Sequence, residues 1–539
     1  MAMMNRRGLV LGAAAAPLVA ALAGPAFAQP GIQAAPTKEA VKAAMRRATD
    51  FMTDKVAVHG GYVWSYLGDF SRRWGEMEAY PTMIWTQAPG TPEMGQVFLD
   101  AYHATGDEAY YRAAQAAADA LIQGQHPSGG WNYIIDFAGE ESIRRWYVTI
   151  GKNGWRLEEF QHYYGNATFD DHATVECGRF LLRLHLEKGE PKYRAAVDRA
   201  VNFILESQYP NGGWPQRYPR MGEFQNHGRP DYTAYVTMND EVSEENISFL
   251  LLVLQQLKDE RVRAPLVKAM ELIIALQQPQ PTPGWAMQYT LDLDPVGART
   301  YEPRSITPHG SAQAITQLLD YYQLTGERKY LARVGEGIDW IASVEIPADK
   351  RGPNGLNFYR NYEPGTGRLI GTHRKGSNAQ NGEYWSDFDT SRTRPEKHID
   401  VARLRARYER VAALSVEEAT RDSALLGRGP SLLPKYVVTR AVGGSDLNVT
   451  AAPQRALTIG TMISELNAEG YWPVELRSTS HPYKGDGPPA PPPGFVDRGQ
   501  VGDEWDTSPF TEPTGPLGIS TGTYINNMGQ LIHYLEAGQ

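Results

Sequence analysis

Apolar residues return at helical spacing along most of the chain, and the helical runs end alike. Val41, Ala44 and Phe51 mark one face of a helix predicted over Pro36–Val56, ahead of His59-Gly60-Gly61-Tyr62-Val63-Trp64. Tyr110–Gln125 runs into Ser128-Gly129-Gly130-Trp131, Lys192–Gln208 into Gly212-Gly213-Trp214, and Pro265–Gln278 into Pro283-Gly284-Trp285. Lys329–Val344 stops less regularly at Asn354-Gly355-Leu356-Asn357-Phe358, and Arg455–Asn467 stops at Gly470-Tyr471-Trp472. Trp131 and Trp214 stand 83 residues apart, and Trp214 and Trp285 stand 71 apart. Each interval holds two helices and a long loop, the second helix falling at Glu176–Lys188 and Ser243–Lys258. Such a period predicts an all-α dominated chain, an α/α toroid of helix pairs with long loops on one face. Glycine ends each helix through positive φ, so the aromatic after it is expected on a common rim, where the site accumulates. Strand-like alternation is brief, at Pro434–Thr439 and Trp472–Leu476.

Thr91-Pro92-Glu93 reads as a helix start with Thr91 as N-cap, and Thr521–Leu535 as a closing helix with Tyr524, Met528, Leu531 and Leu535 at core spacing. After about Gly376 the chain changes character. Ser377–Pro395 is polar and aromatic, Ile399–Val416 is a charged helix, and Asp486–Gly494 (DGPPAPPPG) is a surface loop or lid. The expected organisation is a leader over 1–28, a toroid over 36–376, an inserted loop-rich region over 377–498 and a C-terminal segment over 499–539. The leader carries Asn5-Arg6-Arg7-Gly8-Leu9-Val10-Leu11, a twin-arginine pattern, then an Ala/Leu run and the small residues of Ala26-Phe27-Ala28. A periplasmic or secreted protein without a membrane span follows.

Removing Arg6 and Arg7 leaves 51 basic residues against 62 acidic, a net charge of −11. That balance disfavours nucleic acid as a partner. It leaves a polyanionic sugar acceptable where the site has its own basic cluster or a metal. Cys177 is the single cysteine, so stability rests on packing. Twelve Trp and 29 Tyr exceed ordinary core needs and suit stacking on sugar rings, although most also fit a helical core. His172 and His227 lie in loops without metal-ligand spacing in the sequence.

The richest chemistry lies between Asn211-Gly212-Gly213-Trp214-Pro215-Gln216-Arg217 and Asn239-Asp240-Glu241. Trp214 offers a platform, Arg217 a fixed positive charge, and Asp240 and Glu241 carboxylate oxygens. Together they could hold an anionic sugar against a hard cation. The bland reading of Asp240, and of Asp170-Asp171, is a helix N-cap. That of Arg299 and Glu302 is an i,i+3 ion pair.

Asn211–Gln216, Ala167-Thr168-Phe169-Asp170-Asp171, the Asn239-Asp240 pair, Ala298-Arg299-Thr300-Tyr301-Glu302 and Tyr362-Glu363-Pro364-Gly365-Thr366-Gly367-Arg368 together resemble the pectate (pectic acid) lyases of the tenth polysaccharide-lyase family. The resemblance covers about Val41–Lys375. It implies an α/α toroid enzyme that cleaves polygalacturonate by calcium-assisted β-elimination with an arginine base. On the matching positions, Asp240 is a metal ligand and catalytic support, and Glu241 is a second ligand. The family's Gln-x-Asp ligand falls at Gln288-Tyr289-Thr290, so Asp292 or Asp294 takes that part. Arg368 is the favoured base, with Arg374 the alternative. Lys375 stands where the family has Asp. Arg299 and Arg217 are expected to clamp uronate carboxylates, with Trp214 and Tyr301 also binding substrate. The expected ion is Ca2+, and the expected partner is an acidic polysaccharide or oligosaccharide bound by a monomer.

Two other readings stand beside this one. A glycoside hydrolase on the same architecture would use a carboxylate pair such as Asp171 and Asp240. A non-catalytic uronate-binding protein would keep the fold without the activity, given Thr290 and Lys375.

Overall fold

The computed structural model describes residues 35–151, 158–221, 230–299, 301–375, 383–437, 457–476 and 516–537. The expected leader over 1–28 and the proline-rich stretch at Asp486–Gly494 lie outside these. Fourteen helices occur among the described residues: α1 Lys38–Phe51, α2 Thr91–Thr105, α3 Glu108–Gln123, α4 Glu140–Thr149, α5 Ala173–Lys188, α6 Pro191–Ser207, α7 Val242–Leu257, α8 Arg263–Ala275, α9 Pro308–Thr325, α10 Val334–Ser343, α11 Val401–Ala412, α12 Val416–Ala419, α13 Ile459–Glu465 and α14 Thr521–Ala537. They pack as pairs: α1 with α14, α2 with α3, α5 with α6, α7 with α8 and α9 with α10. α14, α2, α5 and α7 stand side by side in that order, and Gln313 and Gln317 of α9 bond Glu241 and Glu244 at the start of α7. The α/α toroid is the fold. α11 lies on α10 and α9 and α12 on α9, outside the series of pairs.

The helix-stopping loops do more than turn the chain. In four of them the first glycine, Gly60, Gly129, Gly212 or Gly470, has φ between +92° and +106° and presses against a neighbouring helix. A Cβ on Gly60 would meet the carbonyl of Ala116 at 2.4 Å, on Gly129 that of Arg199 at 2.3 Å, and on Gly212 that of Lys268 at 2.7 Å. Gln125 and Gln208 brace the same junction, each Nε2 donating to its own loop and to the next helix. Gly212→Ala therefore combines backbone strain with a backbone clash. It is expected to lower stability by about 1–3 kcal/mol, read as a shift of the denaturant midpoint.

The tryptophans of these loops are pegs, which corrects the expectation of an aromatic rim. Trp131, Trp214 and Trp285 are fully buried. Their Nε1 groups donate to carbonyls of the preceding outer helix, at Leu121, Ile204 and Ile273, and Trp472 does the same at Met462. Their own carbonyls accept from Thr168, Thr237 and Thr307, which tethers the next segment to each peg. Burial of this size is worth a few kcal/mol per indole, so the aromatic excess serves the core first.

Other boundaries moved for local reasons. Gly90 is the N-cap of α2, because the Thr91 hydroxyl is taken by the backbone of Tyr62. The charged helix expected over Ile399–Val416 breaks into α11 and α12, the second opening on a Ser415–Glu418 capping box. Described residues of Pro434–Thr439 form no strand, while Val474–Glu475 does. Val474–Glu475 and Leu517–Ser520 join Ser65–Leu67 in a five-stranded antiparallel sheet, so the C-terminal strand closes onto the N-terminal loop.

Candidate active site

Two loops of the same construction lead into α5 and α7. Thr168-Phe169-Asp170-Asp171-His172-Ala173-Thr174 corresponds to Thr237-Met238-Asn239-Asp240-Glu241-Val242-Ser243. Each is clasped by a hydroxyl, Thr174 Oγ1 to the Thr168 carbonyl at 2.7 Å and Ser243 Oγ to the Thr237 carbonyl at 2.8 Å. Asp171 (φ 46°) and Asp240 (φ 49°) both take the left-handed conformation, as do His172 and Glu241 after them. Strained non-glycine backbone of this kind persists where the surrounding structure holds it, often at functional sites. Neither carboxylate makes a side-chain cap bond, so the cap reading of these aspartates is replaced.

Arg299 lies between them. It arrives on a turn after Pro295–Val296, with Ala298 N–H donating to the Glu302 carbonyl and Glu302 N–H to the Arg299 carbonyl. Its guanidinium reaches Asp170 at 2.8 Å, Glu159 at 3.4 Å, and Asp240 and Glu302 at 3.5 Å each. The isolated i,i+3 pair is thus one arm of a buried network. Tyr133 donates its hydroxyl to Asp170 as well. Gln87 Nε2 joins Glu76 at 2.9 Å and Asp171 at 2.6 Å.

One guanidinium does not balance these acids. Burial, then repulsion from Asp170, raises Asp171 to about 6. Burial raises Glu159 to about 7 against the pull of Arg299. Asp240 is pushed well above the usual carboxylate range by burial and by Asp170 and Asp171. Burial also opposes ionisation of Asp170, but Arg299 and its hydrogen bonds hold it below the ordinary value. Arg299 remains charged: burial works against that, and Glu159 leads the groups that outweigh it.

These residues border a cavity of about 300 Å³. Its acids are Glu76, Glu159, Asp171, Asp240, Glu241 and Glu302. Its cations are Arg299, Arg360 and Lys397, and Asn239, Tyr301, His309 and Gln313 also line it. Of the residues expected at the site, Asp240, Glu241, Arg299 and Tyr301 meet here. Glu241 is already engaged, Oε2 with His172 at 3.3 Å and Oε1 with Gln313 at 2.6 Å.

Trp214, Arg217, Asp292 and Arg368 are not among the described residues that line the cavity. Trp214 is a core peg. Arg217 is buried between the faces of Tyr133 and Tyr164, 5.3 Å and 4.3 Å from the ring centres, and donates to Asn132 and Asn166. It therefore cannot clamp a substrate from the cavity. Asp292 is exposed on the turn joining Gln288–Tyr289 to Pro295–Val296, and it is not among the residues lining the cavity. Arg368 is exposed and stacked on Phe388, 3.5 Å from its ring centre. Arg374 lies in the strand Gly371–Lys375, and its side chain is outside the described residues.

Sequence reading passed over Glu76, Glu159, Arg360 and Lys397, none of which sits in a recognisable motif. The internal repeat Thr-x-[Asp/Asn]-Asp would have raised Asp171 to the rank of Asp240. His172 is also not isolated, since one ligand atom each from His172, Glu176 and Glu245 lie within 4.8 Å of one another. Arg179 pairs with both glutamates there.

The segment holding most of this site, residues 144–351, matches the family model of pectic acid lyase. Over that segment the chain is pectate lyase-like. The resemblance read from the motifs is borne out over this segment. Among solved structures, a family 10 polysaccharide lyase from Cellvibrio cellulosa is 21% identical and aligns over 52% of this chain and 84% of its own, with a TM-score of 0.36. A mutant of that lyase, in complex with trigalacturonic acid, has the same identity and TM-score over 52% and 85%. An unsaturated glucuronyl hydrolase specific for heparin is 10% identical over 93% of this chain and 98% of its own, with a TM-score of 0.38. No curated protein matches the chain.

Proposed function

We propose that the protein is exported on its twin-arginine leader and cleaves polygalacturonate, or a related uronate polymer, by calcium-assisted β-elimination with an arginine base. The observation that supports this most is the surplus of carboxylates around one guanidinium. A polyanionic substrate entering a cavity with six acids and three cations meets net repulsion unless a hard cation intervenes. Asp171 and Asp240 fit that cation, being carboxylates that burial and mutual repulsion leave poorly neutralised by Arg299. When bound, Ca2+ would neutralise the C6 carboxylate and so acidify the C5 proton.

The chain's own residues divide the remaining work. Asp170 and Tyr133 hold Arg299 in place. Arg360 reaches the cavity and joins Arg374 as a candidate for the base in place of Arg368, while Arg299, which stays charged, is left to clamp a substrate carboxylate. Arg299 is gripped by four carboxylates, whereas Arg360 has one ion pair, to Glu302 at 3.5 Å. The base is expected to be the arginine whose lysine variant loses kcat with KM unchanged.

Incubation with polygalacturonate and calcium should generate an unsaturated product that absorbs in the ultraviolet, and a chelator should abolish the signal. The alternative of a glycoside hydrolase is favoured by one observation: Asp171, raised to about 6, and Asp240, also raised, repel each other at the cavity. Reducing ends released without the chromophore would select that reading.

A further inference from the structure

We propose that Lys397, supported by Arg360, forms a second carboxylate subsite in the cavity, which takes the uronate unit next to the one at Arg299. This rests on the uronate substrate proposed above. Both residues lie beyond the segment that matches pectic acid lyase, so the match does not assign them.

The chain secures Lys397 through its backbone. Asn357 and Phe358 N–H groups donate to the Lys397 carbonyl at 2.9 and 3.0 Å, and Lys397 N–H returns a bond to Phe358 at 3.2 Å. Asn357 reinforces the join, with Nδ2 on the Ile399 carbonyl and Oδ1 accepting from Ile399 N–H. The stretch after the toroid is thereby fixed to the rim beside Arg360.

The Lys397 side chain, by contrast, is unspent. It is half-buried and lines the cavity, and among the described residues no carboxylate lies within ion-pair distance of its ammonium. Lys188, Lys192 and Lys329 each have such a partner. His309, on the same cavity wall, is held neutral: burial lowers it to about 3, with Lys397 and Arg360 adding to the effect. The positive field is therefore concentrated on two side chains of different kinds. A planar guanidinium and a compact ammonium together suit a carboxylate that approaches from the open side. A cavity otherwise rich in acid gains an attractive point for the next anionic unit along a polymer, and a neutral or esterified unit gains nothing there.

The test is Lys397→Ala beside Lys397→Arg, assayed for unsaturated product on polygalacturonate and on highly methyl-esterified pectin. Loss of one charge-assisted contact predicts a KM roughly tenfold higher on polygalacturonate. The expected kcat stays within about twofold, KM on the ester is unchanged, and Lys397→Arg restores most of the loss. An unchanged KM on polygalacturonate, or an equal rise on both substrates, overturns the subsite. Calorimetric titration with trigalacturonic acid and with its methyl ester separates this result from failure of the lyase reading. If no unsaturated product forms but wild type binds the acid more tightly and Lys397→Ala narrows that difference by roughly tenfold, the subsite stands and the reaction assignment falls. If the preference is undiminished in Lys397→Ala, the subsite falls.

Discussion

Arg299→Ala is expected to be the most damaging single change, both to stability and to turnover. It would strand Glu159, Asp170, Asp240 and Glu302 around an empty place in the wall of the cavity. Removing one member of a buried ionic network costs about 3–5 kcal/mol, because the charges left behind lose their partner. Denaturant unfolding monitored by tryptophan fluorescence should show that loss. Added calcium should recover part of it, by supplying the acids with another cation. Lyase activity should fall below detection even where the variant folds. A variant as stable as wild type would mean that the acids are neutralised by protons and that Arg299 is not their counter-ion.

The second large effect is expected from Asp240→Asn, with the opposite sign on stability. The amide keeps the size of the side chain but removes a carboxylate that burial and two neighbouring aspartates disfavour. Unfolding temperature should be unchanged or higher, while kcat/KM on polygalacturonate drops by roughly two to three orders of magnitude, as expected when a cation ligand is lost. The same charges set a pH dependence. Asp171 at about 6, Glu159 at about 7 and Asp240, pushed up by burial and by Asp170 and Asp171, all lie above their ordinary values. The native state therefore binds more protons than the unfolded chain, and the chelated protein loses stability as pH climbs from about 4 through 7. Asp240→Asn should flatten that slope, and calcium should stabilise wild type most at the alkaline end. A chelated protein that grows more stable over this range would contradict the crowding of the acids.

The toroid was legible because its signal is repeated. Helix, glycine pair and indole recur with enough fidelity that two of the second helices, placed by interval alone, begin within three residues of α5 and α7. The part played by the indole was not legible. A tryptophan after a glycine pair reads equally well as a sugar platform and as a core peg, and only the Nε1 bond back to the outer helix decides. The site was half visible for a related reason. Asp240 and Arg299 stand in compact motifs on loops that the repeat delivers to one place. Glu76, Glu159 and Lys397 come from irregular segments whose approach depends on tertiary hydrogen bonds such as those of Gln87 and Asn357. Arg217 and Arg368 show the converse. A motif position fixes where a residue lies along the loop, but Tyr164 and Phe388 decide where each guanidinium ends up.

The seam between the two ends of the chain bears on biosynthesis. α14 fills the place beside α1 and α2, Thr49 bonds Tyr524 across it, and Leu517–Ser520 hydrogen-bonds to Ser65–Leu67. A nascent polypeptide thus carries the apolar flanks of its earliest helices uncovered until residues 517–537 have left the ribosome. Ring closure waits for that segment, and a stop codon just before Thr521 would yield an aggregation-prone product in place of a shortened enzyme.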